Sequence, residues 1–313
     1  MATLGGSVPA SAAAVLIFLA IYAWPAISFN GTGFIVRDMW NIGSMYADPV
    51  TRGGISVLPG AQYGILFLVA GTLLSTIIAM VIAVPVGTGA AIFLAEAVPA
   101  GPRLWLSFLV EMLAAIPSVV FGLWGYAVLI PTLSHYVFPA MTAALGWIPW
   151  FGGPPGNGYG LLTAGLVLAL MIVPLITATL RDAIAAQPMH LRESAAALGA
   201  TRFETVWQVI LPGVRPVLIG ACILATGRAL GETMAVLMVS GNALNTLPHS
   251  IYAPVSTMAA FIASQLDSAL QDPTELAVRS LAEIALVLFI ISIAVNAGAR
   301  LLLSRHRATR PRI

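Results

Sequence analysis

The chain has 313 residues, of which 59% are hydrophobic and 8% charged, with a formal net charge of +2. Soluble domains carry about 25% charged residues, so a water-soluble globule of this size is excluded. Lysine is absent, which excludes an ordinary P-loop nucleotide hydrolase, whose lysine must reach the phosphates. The single cysteine, Cys222, can build neither an internal disulfide nor a thiolate metal site.

Asp, Glu and Arg are missing from Gly53 to Ala95, from Met112 to Leu180 and from Thr233 to Leu266. A bilayer crossing needs about 20 apolar residues, so the chain reads as all-α and polytopic, with six spans. The first runs from Ala10 to Phe29, with Trp24 near its exit, and no Lys or Arg precedes it, which argues against a cleaved signal peptide. Residues 30–62 read as an outer segment, whose Asn30-Gly31-Thr32 sequon is taken as chance. The second span runs from Tyr63 to Ala95 and contains Pro85 and Gly87-Thr88-Gly89, which predict a kink or an early end with a fold-back. The third runs from Leu104 to Pro131, contains Pro117, Gly122 and Gly125, and is expected to be an interrupted helix; His135 to Tyr159 is read as a loop. The fourth covers Gly160 to Leu180 and the fifth Pro216 to Ser240. Residues 241–279 form a second outer segment, in part helical and re-entrant, and the sixth span covers Ser280 to Leu303. The whole chain, 1–313, is expected to be one transmembrane domain, with its spans inside 10–303.

Arg103, Arg181, Arg192, Arg202, Arg215 and the arginines of the tail from Arg300 to Arg312 fall on one side of this arrangement, against Arg37, Arg52 and Arg279 on the other. The positive-inside rule then places both termini in the cytoplasm. The four histidines, His135, His190, His249 and His306, show no ligand spacing, so no metal site is expected. Asp267, Asp272 and Glu275 read as a solvated outer cluster. Glu111 and Glu283 read as interface-level or paired carboxylates.

Residues 181–215 are the longest polar-patterned stretch. Thr201-Arg202-Phe203-Glu204 has capping-box spacing and predicts a helix start at Thr201. Phe203, Val206, Trp207 and Ile210 recur as one apolar face, closed by Pro212. Upstream, the Ala-rich helix from Arg192 to Leu198 ends before Gly199, which suits a tight C-terminal turn. The residues leave two readings open: a helix pair lying on lipid, or a knob that docks into a partner. Glu193-Ser194-Ala195, then Gly199, then Val209-Ile210-Leu211-Pro212, resembles the coupling loop of the permeases of ATP-binding-cassette importers. That loop reads Glu-Ala-Ala, three residues, Gly, nine residues, Ile, one residue, Leu-Pro, with Ser194 and Val209 as conservative departures here. The resemblance implies that Glu193, Ser194, Ala195, Gly199, Leu211 and Pro212 couple the chain to a separate ATPase.

Arg228 and Glu232 stand four residues apart in the fifth span, which predicts a shared helix face within pairing reach. Such residues face a bundle interior or an aqueous path, and Gly227 and Gly231 predict a seam for a neighbouring helix. Either the two form a structural ion pair, or Arg228 offers its planar donors to a tetrahedral oxyanion while Glu232 orients it. The run from Arg228 to Val236, RALGETMAV, resembles the signature of the phosphate-specific permeases of C-subunit type, and Ala114 to Gly125, AAIPSVVFGLWG, is similar to the same family's third-span segment. The N-terminus departs from that family, whose members carry a longer basic segment there, so Met1 is in doubt as the natural start.

The resemblance covers nearly the whole chain and implies the type I importer permease fold. It further implies import of inorganic phosphate across a bacterial inner membrane, with Arg228 and Glu232 on the substrate pathway. The implied partners are a homologous permease of A-subunit type, an ATPase dimer holding ATP and Mg, and an external phosphate-binding protein; no cofactor, catalytic residue or nucleic acid is expected on this chain. Two alternatives stay open: a permease of the same superfamily for another oxyanion, sulfate or molybdate, and an ion-coupled secondary transporter, which would have no need of a docking loop.

Overall fold

The structure, a computed structural model, describes residues 2–308. Met1, Arg310 and Arg312 lie outside the described residues. Six helices are long and apolar enough to cross a bilayer. In chain order the elements are α1 (Ala2–Asn30), a hairpin of β1 (Val50–Arg52) and β2 (Ile55–Val57), α2 (Leu66–Ala97), α3 (Ala100–Ala115) and α4 (Ser118–Leu145). These are followed by α5 (Leu161–Ala185), α6 (Met189–Ala197), α7 (Arg202–Leu230), α8 (Met234–Val239), α9 (Met258–Leu270) and α10 (Leu276–Ala308).

The hub is α5, whose most apolar stretch is 72% buried, against 44% for α2 and 11–22% for the other four. The most extensive helix pairing is α2 on α5. Lipid tails are as apolar as leucine, so helices in a bilayer associate through close backbone approach rather than apolar burial. The buried stripe of α2 supplies that approach: Gly71, Ser75, Ala79, Ala83, Gly87 and Ala91 recur every fourth residue. A Cβ on Gly87 would lie 3.0 Å from Ile176, and one on Gly165 of α5 would lie 2.5 Å from Cγ2 of Ile78.

The predicted fold-back after Pro85 does not occur. α2 continues to Ala97, ending in a π-helical turn from Phe93 to Ala97. Its neighbour makes this tolerable: Gly87 brings the two backbones together, and the Thr177 hydroxyl donates to the Gly87 carbonyl at 3.3 Å. The third crossing is also displaced from its predicted bounds. Pro117 drives Ile116 into extended backbone (φ −64°, ψ 130°), as proline does to its predecessor. α3 ends there as a separate helix, and α4 starts at Ser118. Pro131 does not stop α4, because π-turns at Gly125–Leu129 and Leu133–Val137 absorb the missing donor on either side. Much of the predicted loop after His135 is therefore helix.

The segment 240–257 folds back on the ends of α2 and α5 opposite the arginine-rich end. Leu161 and Leu162 donate backbone N–H groups to Ala253 and Ile251, and Met258 donates to the Thr72 hydroxyl. Part of the predicted outer segment is helical, as expected, in α9. Asp272 is not a solvated loop residue: it is 4% exposed and accepts from the N–H groups of Thr274 and Ala277, both at 2.9 Å, capping α10. Asn30 is buried as well, donating to Glu283 at 2.8 Å and tying α1 to α10. Glu111 is paired with Arg181 at 2.9 Å, tying α3 to α5.

Gly165→Val overpacks the α2–α5 seam, whereas Gly89→Val points into open space. The first is expected to cost about 1–3 kcal/mol and to lower the midpoint of thermal unfolding in detergent. The second is expected to leave that midpoint within error; equal midpoints for the two variants would contradict the seam.

Candidate functional site

Two regions predicted to carry function lie at opposite ends of one helix. At the end away from Gly199, α7 stops at Leu230 and the chain turns through Gly231, Glu232 and Thr233 before α8 begins. Gly231 N–H bonds back to Gly227 at 3.3 Å, closing α7. Glu232 lies in the break, and its Oε1 accepts from the Ala235 N–H at 3.3 Å, so its carboxylate serves the first turn of α8.

The Arg228–Glu232 ion pair, one of the two readings left open by their spacing, is not among those formed by the described residues. The i,i+4 register that would have aligned them needs a continuous helix, and the break falls between them. Arg228 instead projects, exposed, into a cavity of about 640 Å³ lined by Leu175, Gly220, Ile223, Leu224, Gly227, Asn296 and Arg300. Of the predicted glycine seam, a Cβ on Gly227 would lie 3.9 Å from Nδ2 of Asn296, while Gly231 brings no second helix close.

α8 is held by the third crossing. A Cβ on Gly122 would lie 2.9 Å from the Ala235 Cα, and one on Gly125 would lie 2.9 Å from Cγ1 of Val239. The two sequence segments singled out earlier, Ala114–Gly125 and Arg228–Val236, thus pack directly on one another. The glycines of the first are what let α8, the helix after the break, pack inside the bundle with Ala235, Val236 and Val239 buried.

At the arginine-rich end, α6, the Gly199 turn and the start of α7 form the predicted helix–turn–helix. Gly199 has φ +83°, the left-handed region that favours glycine, and Ala200 N–H closes the turn on the Ala195 carbonyl at 3.0 Å. The capping box is present in both directions: Glu204 N–H donates to the Thr201 hydroxyl at 3.3 Å, and Thr201 N–H donates to the Glu204 carboxylate at 2.8 Å.

Pro212 does not close the helix. A π-turn over Thr205–Ile210 carries the chain past it, and α7 runs unbroken to Leu230. That turn also divides the predicted apolar face. Val206 and Ile210 are buried, Ile210 in a cluster with Ala91, Ala95, Leu180 and Ile184, while Phe203 and Trp207 stay exposed. Leu198, 89% exposed, and Met189 extend this bare edge. Glu193, Ser194 and Gly199 are exposed, Ala195 is buried, and Leu211 and Pro212 are half-buried.

One pair escaped the sequence reading. Arg192 donates to Glu96 through Nη2 at 2.6 Å and Nε at 3.2 Å, and to the Ile184 and Gln187 carbonyls at 3.0 Å each. It ties α6 to the ends of both α2 and α5. The signal was present as a lone acid at the end of a long uncharged span, but no local spacing links positions 96 and 192.

Residues 83–307 match the family described as "Binding-protein-dependent transport system inner membrane component". The phosphate transport system permease protein PstC 1 of Mycobacterium tuberculosis is 44% identical over 92% of this chain and 86% of its own length. PstC of Haemophilus influenzae is 39% identical over 95% and 89%, and the probable PstC of Methanocaldococcus jannaschii is 34% identical over 90% and 84%. Among solved structures, the MetNI methionine ABC transporter in an inward-facing form aligns with TM-score 0.51 at 19% identity, covering 79% of this chain and 95% of its own. A bacterial ABC transporter that imports alginate aligns with TM-score 0.51 at 15% identity, covering 77% and 79%. The fold is that of these importers' membrane subunits, and with its sequence likeness the chain belongs to the binding-protein-dependent inner membrane components, in the PstC family of phosphate transport system permeases.

Proposed function

We propose that this chain is the membrane-spanning permease subunit through which an ATP-driven importer moves inorganic phosphate into the cell. The chemistry of ATP belongs to a separate ATPase dimer holding ATP and Mg. A second, homologous permease completes the pathway, and an external binding protein delivers phosphate to it. Both termini lie in the cytoplasm, so the arginine-rich end is the inner one, as the positive-inside rule requires.

The observation that carries this reading is α7 itself. Its first turns present Phe203 and Trp207 as a bare apolar edge, its last turn holds Arg228, and no break separates them over 29 residues. At 1.5 Å per residue that is a strut of about 40 Å. A displacement imposed at the docking edge therefore reaches the arginine as a rigid-body shift. Arg192 extends the same displacement to α2 and α5 through Glu96 and the two carbonyls, so the hub pair moves with α6.

Arg228 acts by its guanidinium, planar, permanently charged and matched to two oxygens of a tetrahedral anion. Glu232, held in the break by the Ala235 N–H, sets a negative charge near the anion's route and keeps binding weak enough to release it. Glu193, Ser194, Ala195 and Gly199 form the turn received by the ATPase, with Leu211 and Pro212 at its base.

Arg228→Gln is expected to lower ATP-dependent phosphate uptake by about 10- to 100-fold, the worth of a charged hydrogen bond, while the variant still co-purifies with the ATPase. Wild-type uptake, or uptake of radiolabelled sulfate at the rate of phosphate, would refute the assignment. Gly199→Val forces a β-branched side chain to φ +83°, a strain of about 1–2 kcal/mol; ATP hydrolysis should then proceed without matching uptake, or the complex should fail to assemble. Glu96→Gln and Arg192→Gln should each reduce phosphate moved per ATP hydrolysed, and the double variant should be no worse than either alone. Additive losses would show that the two do not act as one latch.

A further inference from the structure

The cavity beside Arg228 has a second cation. Arg300 lines it from α10, together with Asn296 one turn away on the same face, and the carboxylates of Asp and Glu are absent from its lining. Neither arginine has an ion-pair partner among the described residues. The acid nearest to Arg228 in sequence, Glu232, is engaged with the Ala235 N–H.

The placement of these groups follows from chain direction. α7 and α10 run antiparallel where Gly227 faces Asn296. Side chains on a helix lean toward its N-terminus. Arg228 therefore leans toward the arginine-rich end, and Arg300, one turn beyond Asn296 in that direction, leans back toward the bundle centre. Both residues line the same space. Both arginines are exposed, so water screens their repulsion, but the space they share has two cations and no carboxylate, which suits it to an anion. Asn296 adds an uncharged amide donor at the same wall.

We infer that Arg228, Arg300 and Asn296 together form a site for a phosphate-class oxyanion on the inner half of the pathway, with Arg300 receiving the anion as Arg228 gives it up. This rests on the pathway reading of Arg228 and adds the last span to it. The same chemistry would also take the headgroup of an anionic phospholipid, and the two occupants are separable by experiment.

The assembled importer is reconstituted in vesicles of phosphatidylcholine alone and in vesicles that also contain phosphatidylglycerol. Binding of radiolabelled inorganic phosphate to the nucleotide-free complex and ATP-driven uptake are measured in both. Arg300→Gln is expected to weaken binding about tenfold and to slow uptake in both lipids, with Asn296→Ala weaker in effect and Arg300→Lys recovering part of the loss. A merely structural Arg300 would leave phosphate binding unmoved in variants that assemble, and this result would overturn the inference. Full phosphate binding by Arg300→Gln alongside loss in Arg228→Gln would overturn it while leaving the pathway reading in place. Normal uptake by Arg228→Gln would instead sink that parent reading. A defect of Arg300→Gln confined to vesicles containing phosphatidylglycerol would identify a lipid headgroup as the occupant and refute a transported anion there. Should Arg300→Gln fail to co-purify with the ATPase, Arg300→Lys and Asn296→Ala carry the same comparison.

Discussion

A helix in a bilayer gains nothing by turning its leucines inward, so this bundle depends on how closely its backbones can approach. The four-residue repeat of Gly, Ser and Ala along α2 meets that need against α5, and Gly122 and Gly125 meet it between α4 and α8. Everything polar in the interior is tolerable only because these contacts exclude lipid. The buried first turns of α8 and the backbone of the folded-back 240–257 segment would each be costly beside acyl chains.

The second constraint is the placement of charge. The few ionic contacts are not spread over the surface but sit where helices end. Arg192 with Glu96, Arg181 with Glu111 and Asp182, and Arg279 with Glu275 all lie toward one end of the bundle or the other. At the arginine-rich end they join separate helices into one body. In the middle of the bundle this pairing stops, and Arg228 is left open to a cavity. A helix that could have set Arg228 against the carboxylate four residues away instead breaks between them. The anchoring pairs are thus separate from a cation that no described carboxylate neutralises.

Much of this was readable along the chain. Composition alone required a membrane, and the uncharged runs predicted six crossings that the structure also has. The capping box at Thr201 and the left-handed turn at Gly199 were local matters, decided by neighbours within a few residues, and both appear as expected. The prolines were misread in a consistent way. Pro85 and Pro212 were expected to interrupt or end their helices, yet both are passed, near a tertiary hydrogen bond in one case and through a π-turn in the other. Pro117 does break the chain, forcing Ile116 into extended backbone, whereas Gly122 and Gly125, the other interruption candidates of that span, lie within helix.

What the order of residues determined, then, was the solvent, the number of crossings, the sided arginines and the local turns, because each depends on hydrophobicity or on spacing within a few residues. The tertiary structure alone decided whether Arg228 and Glu232 pair, which half of the Phe203–Ile210 face stays bare, and that Glu96 meets Arg192 and Arg300 shares a cavity with Arg228. Those outcomes turn on helix continuity and on which antiparallel neighbour lies opposite, and distances between residues 70 to 100 positions apart are set by packing rather than by period.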